Sequence, residues 1–316
     1  MMSVRAIPYT NHDAPVWDDV VHRSAKGTFQ LESRYMDYHR SRFRDASLLF
    51  YDEHGRAVGA FPANYDEDGT VVSHAGLTYG GLIFAANAHA TDVLLMLDAA
   101  VKYYKANNHK RLIYKAIPYI YSPIAADADL YGLTLHGAQI LRRTLSTAIA
   151  LDAPLPFSTL RRRGVVRAQR SGIQVVRTTD FAAYWQVLSD VLHQRHGAKP
   201  VHTLDEIRLL HARYPQGIQL YTATEGDEVV AGVVVYASRG VAHAQYIAAT
   251  ERGRAVGALD LLFEVLVKTY RADGYRWFDF GISTDHSGAQ LNAGLLAQKE
   301  GFGGRAVCYD TYLLTL

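Results

Sequence analysis

The chain states one order of elements twice. From Ser47, SLLFYDEHGRAVGAFPANYDEDGTVVSHAGLTYGGLIF reads as three strands, with DEHG and DEDG as the turn signals. The amphipathic segment TDVLLMLDAAVKYYKANN follows, with Thr91 as the expected N-cap, and then the short apolar strand RLIYKAIP, stopped by Pro118. From Ile218 the order returns. IQLYTATEGDEVVAGVVVYASRGVAHAQYIAAT gives three strands, AVGALDLLFEVLVKTYRADG a helix and YRWFDFGIS a strand. Two β-β-β-α-β units offset by roughly 170 residues predict two copies of one domain. The proline-containing joint LDAPLPFSTLRRRGVVRAQRSG separates them, dividing the chain into residues 1–153 and 154–316. Two helices around a polar HGAKP loop are expected before the second meander. The fold class expected is α/β (α+β), each domain a mixed β-meander sheet with flanking helices.

Composition excludes several functions. The 316 residues are 49% hydrophobic, enough for one large or two medium globular domains. The net charge of +2 gives no bulk reason to bind nucleic acid or an anionic membrane. The single cysteine, Cys308, cannot form an internal disulfide, which points to a reducing compartment. The opening residues lack the charged start and apolar core of a secretion signal, and no apolar run reaches the roughly 20 residues of a spanning helix. A cytoplasmic location without membrane insertion is expected.

Chemistry concentrates at corners. In YIAATERGRAVGALDLL, Arg252, Gly253, Arg254, Gly257 and Ala258 stand at the entry to an apolar helix. First-turn N–H groups lack internal partners and the helix dipole favours an anion, so glycines and arginines there suit a phosphate. Asp279, between an aromatic strand and Gly281, can orient an amine, accept its proton, or bond local backbone N–H groups in a turn. SHAGLTYGG sets His74, Thr78 and Tyr79 among Gly76, Gly80 and Gly81, where a ligand can approach the backbone. Lys115 and Tyr121, in YKAIPYIYSP, are further candidates to line that ligand site. Arg161, Arg162 and Arg163 open a basic run suited to a nucleotide diphosphate or to a solvated helix start.

In its β-β-β-α-β setting, the Arg254–Gly257 spacing resembles the phosphate loop of the Gcn5-related N-acetyltransferase (GNAT) superfamily. Leu259 stands where that pattern has a small residue, and a register through Arg252 is open. FDFG followed by QKEGFGG is similar to the C-terminal signature of Fem-type transferases, which are two such units in tandem. SHAGLTYGG, PVHTLDEI and LNAGLLAQKEGFG look like a bacterial branch linked with surface-polysaccharide synthesis, including O-antigen and lipopolysaccharide. The resemblance implies two tandem GNAT-like domains. It implies an acyl-CoA-dependent N-acyltransferase acting on the amine of a nucleotide-linked amino sugar, such as a dTDP-amino-dideoxy sugar, in a cleft shared by both domains.

The resemblance also assigns roles. Arg252, Gly253, Arg254, Gly257 and Ala258 would hold the pyrophosphate, with Ser283, Thr284 and Asn292 along the thioester arm. Lys299 would stabilise charge on the reacting carbonyl, although AQK replaces the aromatic-lysine pair usual in the family. His196, Lys199 and His202, in the loop between the two helices, would border the acceptor, with Asp279 or His202 as base. The first domain has no phosphate loop, so His74, Thr78, Tyr79 and Lys115 are expected to contact the acceptor rather than coenzyme A.

Competing classes fare worse. DFG lacks the glycine-rich loop and catalytic loop of a kinase. No GxSxG elbow marks a hydrolase. The histidines His193, His196 and His202 lack HExxH spacing or a cysteine partner, so no metal is expected. Two alternatives stay open: a Fem-type aminoacyl-tRNA-dependent peptidyltransferase, and a non-catalytic protein that binds acyl-CoA or a nucleotide sugar.

Overall fold

The computed structural model describes residues 3–285 and 287–316, apart from the side chains of Arg195 and His196. The chain divides into two compact units, residues 1–144 with 308–316, and residues 145–307. This differs from a cut at 153/154 because two strands change unit. β7 (Gln139–Ala150) ends in the second unit, and β13 (Arg305–Thr315) ends in the first.

In the first unit, β1 (Arg5–Pro8), β2 (Leu48–Tyr51), β3 (Ala57–Phe61) and β5 (Ile83–Phe84) form one antiparallel sheet in the order given. The DEHG and DEDG turns form as read, closed by Asp52 N–H to Arg56 O and Asp66 N–H to Thr70 O. The expected three strands break into shorter pieces. Between β4 (Val71–Val72) and β5 the ladder is broken: Ser73 and Gly80 still donate to Ile113 O and Lys115 O, while Ala75 donates to Asn64 Oδ1 at 2.6 Å and Leu82 to the Tyr114 hydroxyl at 2.6 Å. Helix α1 (Ala90–Ala106) buries Val93, Met96, Leu97, Ala100, Val101 and Tyr104, the 3–4 spacing of one apolar face. Its N-cap is His89, not Thr91, because the Asp92 carboxylate reaches back to the His89 amide at 3.0 Å. After α1 the chain enters β6 (Arg111–Lys115), which pairs parallel with β4.

The second unit repeats that crossover with longer strands. Helix α2 (Thr159–Arg170) precedes β8 (Gln174–Thr178), and helices α3 (Phe181–His196) and α4 (Leu204–Arg213) follow. The meander β9 (Ile218–Glu225), β10 (Glu228–Ser238) and β11 (Val241–Ala249) is antiparallel throughout. Helix α5 (Glu251–Val256) then breaks at Gly257 into α6 (Ala258–Ala272). The chain returns in β12 (Trp277–Ile282), parallel to β11, and ends the unit with α7 (Ala293–Glu300). Along β12 the period of two sends Phe278 and Phe280 into a cluster with Phe263 and Phe302, and Asp279 to the other face.

Candidate active site in the second unit

The site begins where two parallel strands part. β11 and β12 are in register over three pairs, Val241–Trp277, Ala242–Phe278 and His243–Asp279, while the strands run on to Ala249 and Ile282. Each carries an irregularity beside the break. On β11 one extra residue, Gln245, falls between partners of Val234 and Val235. On β12 the pairing with β7 slips between Asp279 and Ile282, where Gly281 takes φ +76°. Bulges of this kind end pairing and re-aim side chains.

Asp279 sits at the last shared pair and is fully buried. Ser146 Oγ donates to its Oδ1 at 2.6 Å, and the Gly281 amide donates to the same oxygen at 3.2 Å. The His243 Nδ1 lies 2.7 Å from Oδ2. A buried carboxylate needs such partners to offset its desolvation.

Lys299 closes the strand end from α7. Its Nζ donates to the carbonyls of Gly281 at 2.8 Å and Ile282 at 2.7 Å. Burial lowers its pKa to about 8, against a smaller opposing pull from Asp279. Beside it the Ser283, Thr284 and Thr147 hydroxyls are buried with no hydrogen-bond partner in the protein. A buried hydroxyl without a partner is costly, and those of Ser283 and Thr284, adjacent in sequence just past β12, suit a polar ligand. Asn292 is the N-cap of α7, its Oδ1 accepting from Leu295 N at 2.9 Å.

At the expected phosphate loop, Thr250 caps α5 by accepting from Gly253 N at 3.0 Å. Both glycines allow close packing: a Cβ on Gly253 would lie 2.2 Å from Val230 O, and one on Gly257, at φ +79°, would lie 2.6 Å from Gly164 O. Arg252 is held in a two-pronged pair by Glu225, at 2.8 and 2.6 Å. Arg254 gives one N–H to Ala249 O at 2.6 Å and stays exposed, with further donors on its guanidinium. Ala258 is buried at the start of α6. Of the basic run, Arg161 pairs with Asp260 at 2.8 Å and lies over the Phe302 ring, while Arg162, Arg163, Arg167 and Arg170 are exposed.

The remaining candidates are dispersed. His202 is buried, its Nδ1 2.5 Å from the Tyr246 hydroxyl and its carbonyl accepting from Trp185 Nε1. Lys199 is exposed on the same loop, and the His196 side chain lies outside the described residues. In the first unit His74 is buried at φ +45°, its pKa pushed down to about 3 by burial and by His39 and Lys115. Tyr79 is buried with its hydroxyl donating to Gln30 at 2.9 Å and its ring tilted on Tyr121. Thr78 is exposed. Lys115 is buried, donates to Leu77 O, and burial lowers its pKa to about 7. Gly81, expected to admit a ligand, admits Tyr114 instead: a Cβ there would lie 2.8 Å from the Tyr114 hydroxyl. That hydroxyl also donates to Asp129 at 2.6 Å, and Asp129 holds the buried Lys26 at 2.9 Å.

Sequence reasoning missed His243, Ser146 and Thr147. His243 in VAHAQ had one legible signal: a polar residue at an alternating position of an otherwise apolar strand, the strand that pairs with FDFG.

The chain has a GNAT-type acyltransferase fold. The GNAT acetyltransferase domain family matches residues 159–287. The match falls within the second of the two units and covers less than half of the chain. Among solved structures, FemX aligns over 97% of this chain and 96% of its own at 12% identity, with a TM-score of 0.67. The C-terminal domain of a putative lysylphosphatidylglycerol synthetase from Agrobacterium fabrum aligns over 96% of this chain and 91% of its own, at 14% identity and TM-score 0.61. L-PGS from Bacillus licheniformis aligns over 84% and 82%, at 15% identity and TM-score 0.57. No curated protein sequence matches the chain. Among the described residues, no helix is long and apolar enough to cross a membrane, and no group of three or more His, Cys, Asp or Glu side chains could hold a metal ion.

Proposed function

We propose that the protein is an acyl-CoA-dependent N-acyltransferase that acylates the amine of a nucleotide-linked amino sugar in the cytoplasm, in surface-polysaccharide synthesis. The observation that carries this reading is the break between β11 and β12, with Lys299 and the unpartnered Ser283 and Thr284 hydroxyls at the end of β12. A thioester laid in that break meets hydrogen-bond donors without disturbing any bond the fold already makes. Amine attack on its carbonyl builds negative charge on oxygen, and a buried cation near that oxygen contributes several kcal/mol. Arg254, in register with Gly257, is the phosphate-binding arginine of this reading, because Arg252 is held by Glu225. The acceptor is the finer part of the proposal and is supported by the sequence resemblance, with Lys199 as its candidate contact in the second unit.

The test is thiol release from acetyl-CoA and longer acyl-CoAs against a panel of nucleotide-linked amino sugars. Thiol appearing with one amino sugar and not with its hydroxyl analogue is the expected result. Tight donor binding with no release from any pair would replace the reading with a non-catalytic one.

A second reading, transfer from aminoacyl-tRNA, is favoured by the row of exposed arginines on α2. Between Asp152 and Asp180 the chain has six arginines and no acid, a local basic face on a nearly neutral protein. A salt-sensitive tRNA gel shift lost in Arg163→Ser/Arg167→Ser would support it.

A further inference from the structure

We infer that His243 is the proton acceptor of the transfer and that Asp279 and Ser146 are its positioning residues, a role that rests on the acyl-transfer reading above. Asp279 itself is poorly placed for the task. It is fully buried, its Oδ1 accepts from Ser146 and Gly281, and its Oδ2 faces the imidazole. A carboxylate oxygen bonded to Nδ1 fixes the tautomer: Nδ1 carries the proton and Nε2 keeps a lone pair. The His243 side chain is 14% exposed, whereas that of Asp279 is fully buried.

Position supports the role. His243 is the last residue of β11 paired with β12, so it stands at the mouth of the break. A Cβ on Gly281 would lie 3.4 Å from His243 Cε1, and the Gly281 carbonyl accepts from Lys299 Nζ. Base and cation therefore flank one residue. Facing the imidazole are Asp279 from β12, Lys299 through the Gly281 peptide from α7, and Tyr236, its cross-strand partner on β10.

The reaction balances. The amine nitrogen forms a bond to the thioester carbonyl carbon, and the carbonyl electron pair moves to oxygen beside Lys299. The nitrogen's proton passes to His243 Nε2. The pair returns, the carbon–sulfur bond breaks, and the thiolate takes that proton from the imidazolium. The products are an amide and a thiol, with His243 neutral again.

Two measurements test the inference on the full chain. Nitrogen-15 NMR of the imidazole, followed through its titration, is expected to show the neutral ring of His243 protonated at Nδ1 and bare at Nε2; the opposite tautomer overturns the assignment without any substrate. Kinetics supply the other arm. His243→Ala is expected to lower kcat by about 10²–10⁴-fold with the donor KM unchanged, and added imidazole should restore part of it. His243→Gln, which keeps a polar side chain of similar reach, should fold as wild type yet stay slow without rescue. Wild-type turnover that survives either substitution within threefold refutes the proton acceptor and leaves the acyl-transfer reading intact. Absence of wild-type turnover with every pair refutes that reading and this inference with it.

Discussion

Replacing Lys299 with methionine separates the energetics of the site from its chemistry. The side chain is 6% exposed and its pKa falls from 10.5 to about 8, chiefly because burial disfavours the charged form. Between those two values the unfolded chain binds more protons than the folded one, so stability rises as pH rises through the window. The penalty is fully present below pH 8 and vanishes above 10.5. Worked from this shift, wild type should gain about 2 kcal/mol on going from ~pH 7.5 to ~pH 10, and Lys299→Met should gain none of it. Other titrating groups, tyrosines above all, act on both proteins and cancel in the difference. Lost hydrogen bonds to Gly281 and Ile282 shift the variant by a constant and do not alter its slope. Urea unfolding of both proteins at the two pH values reads the quantity directly. A wild-type minus variant difference that stays constant with pH would refute a lowered Lys299 pKa and with it the desolvated setting of the site.

Activity follows the same group: kcat should decline above pH 8 as Lys299 loses its charge, and Lys299→Arg, which stays charged, should flatten that decline in a pH–rate profile. Gly257→Val adds a side chain at φ +79° and 2.6 Å from Gly164 O, so it should cost about 3 kcal/mol or more and lower the melting temperature. In the first unit, Asp129→Asn leaves the buried Lys26 with only the more distant, exposed carboxylate of Asp127 at 3.8 Å and takes a charged acceptor from Tyr114; a loss of about 3 kcal/mol is expected in denaturant unfolding. Thr284→Val leaves the fold unharmed, since its buried hydroxyl bonds nothing in the protein, and should raise the donor KM.

The duplication, the meanders and the crossover helices were legible because alternation and 3–4 spacing are local properties of the chain. The strand Trp277–Ile282 and its Asp279 were readable for the same reason, since period two separates Phe278 and Phe280 from the aspartate. What sequence could not carry was partnership across distance. Ser146 and His243 meet Asp279 from 133 and 36 residues away, and only the register of three strands brings them together. Gly257 also has a packing role that sequence did not show: the same absence of a side chain that suits a phosphate admits another backbone, here that of Gly164. His89 displaced Thr91 as a cap because the deciding contact comes from Asp92, one residue beyond the threonine. The paired strand ends of β7 and β13 escaped sequence because a strand's partner is not written in its own pattern.

The most direct test is a crystal structure with a thioether analogue of acyl-CoA that cannot transfer its acyl group. The carbonyl oxygen is expected within hydrogen-bond reach of Lys299 Nζ or the Ser283 and Thr284 hydroxyls, between β11 and β12, with the diphosphate beside Arg254. An analogue seated elsewhere, with the break between the two strands unchanged, would contradict acyl transfer at this site.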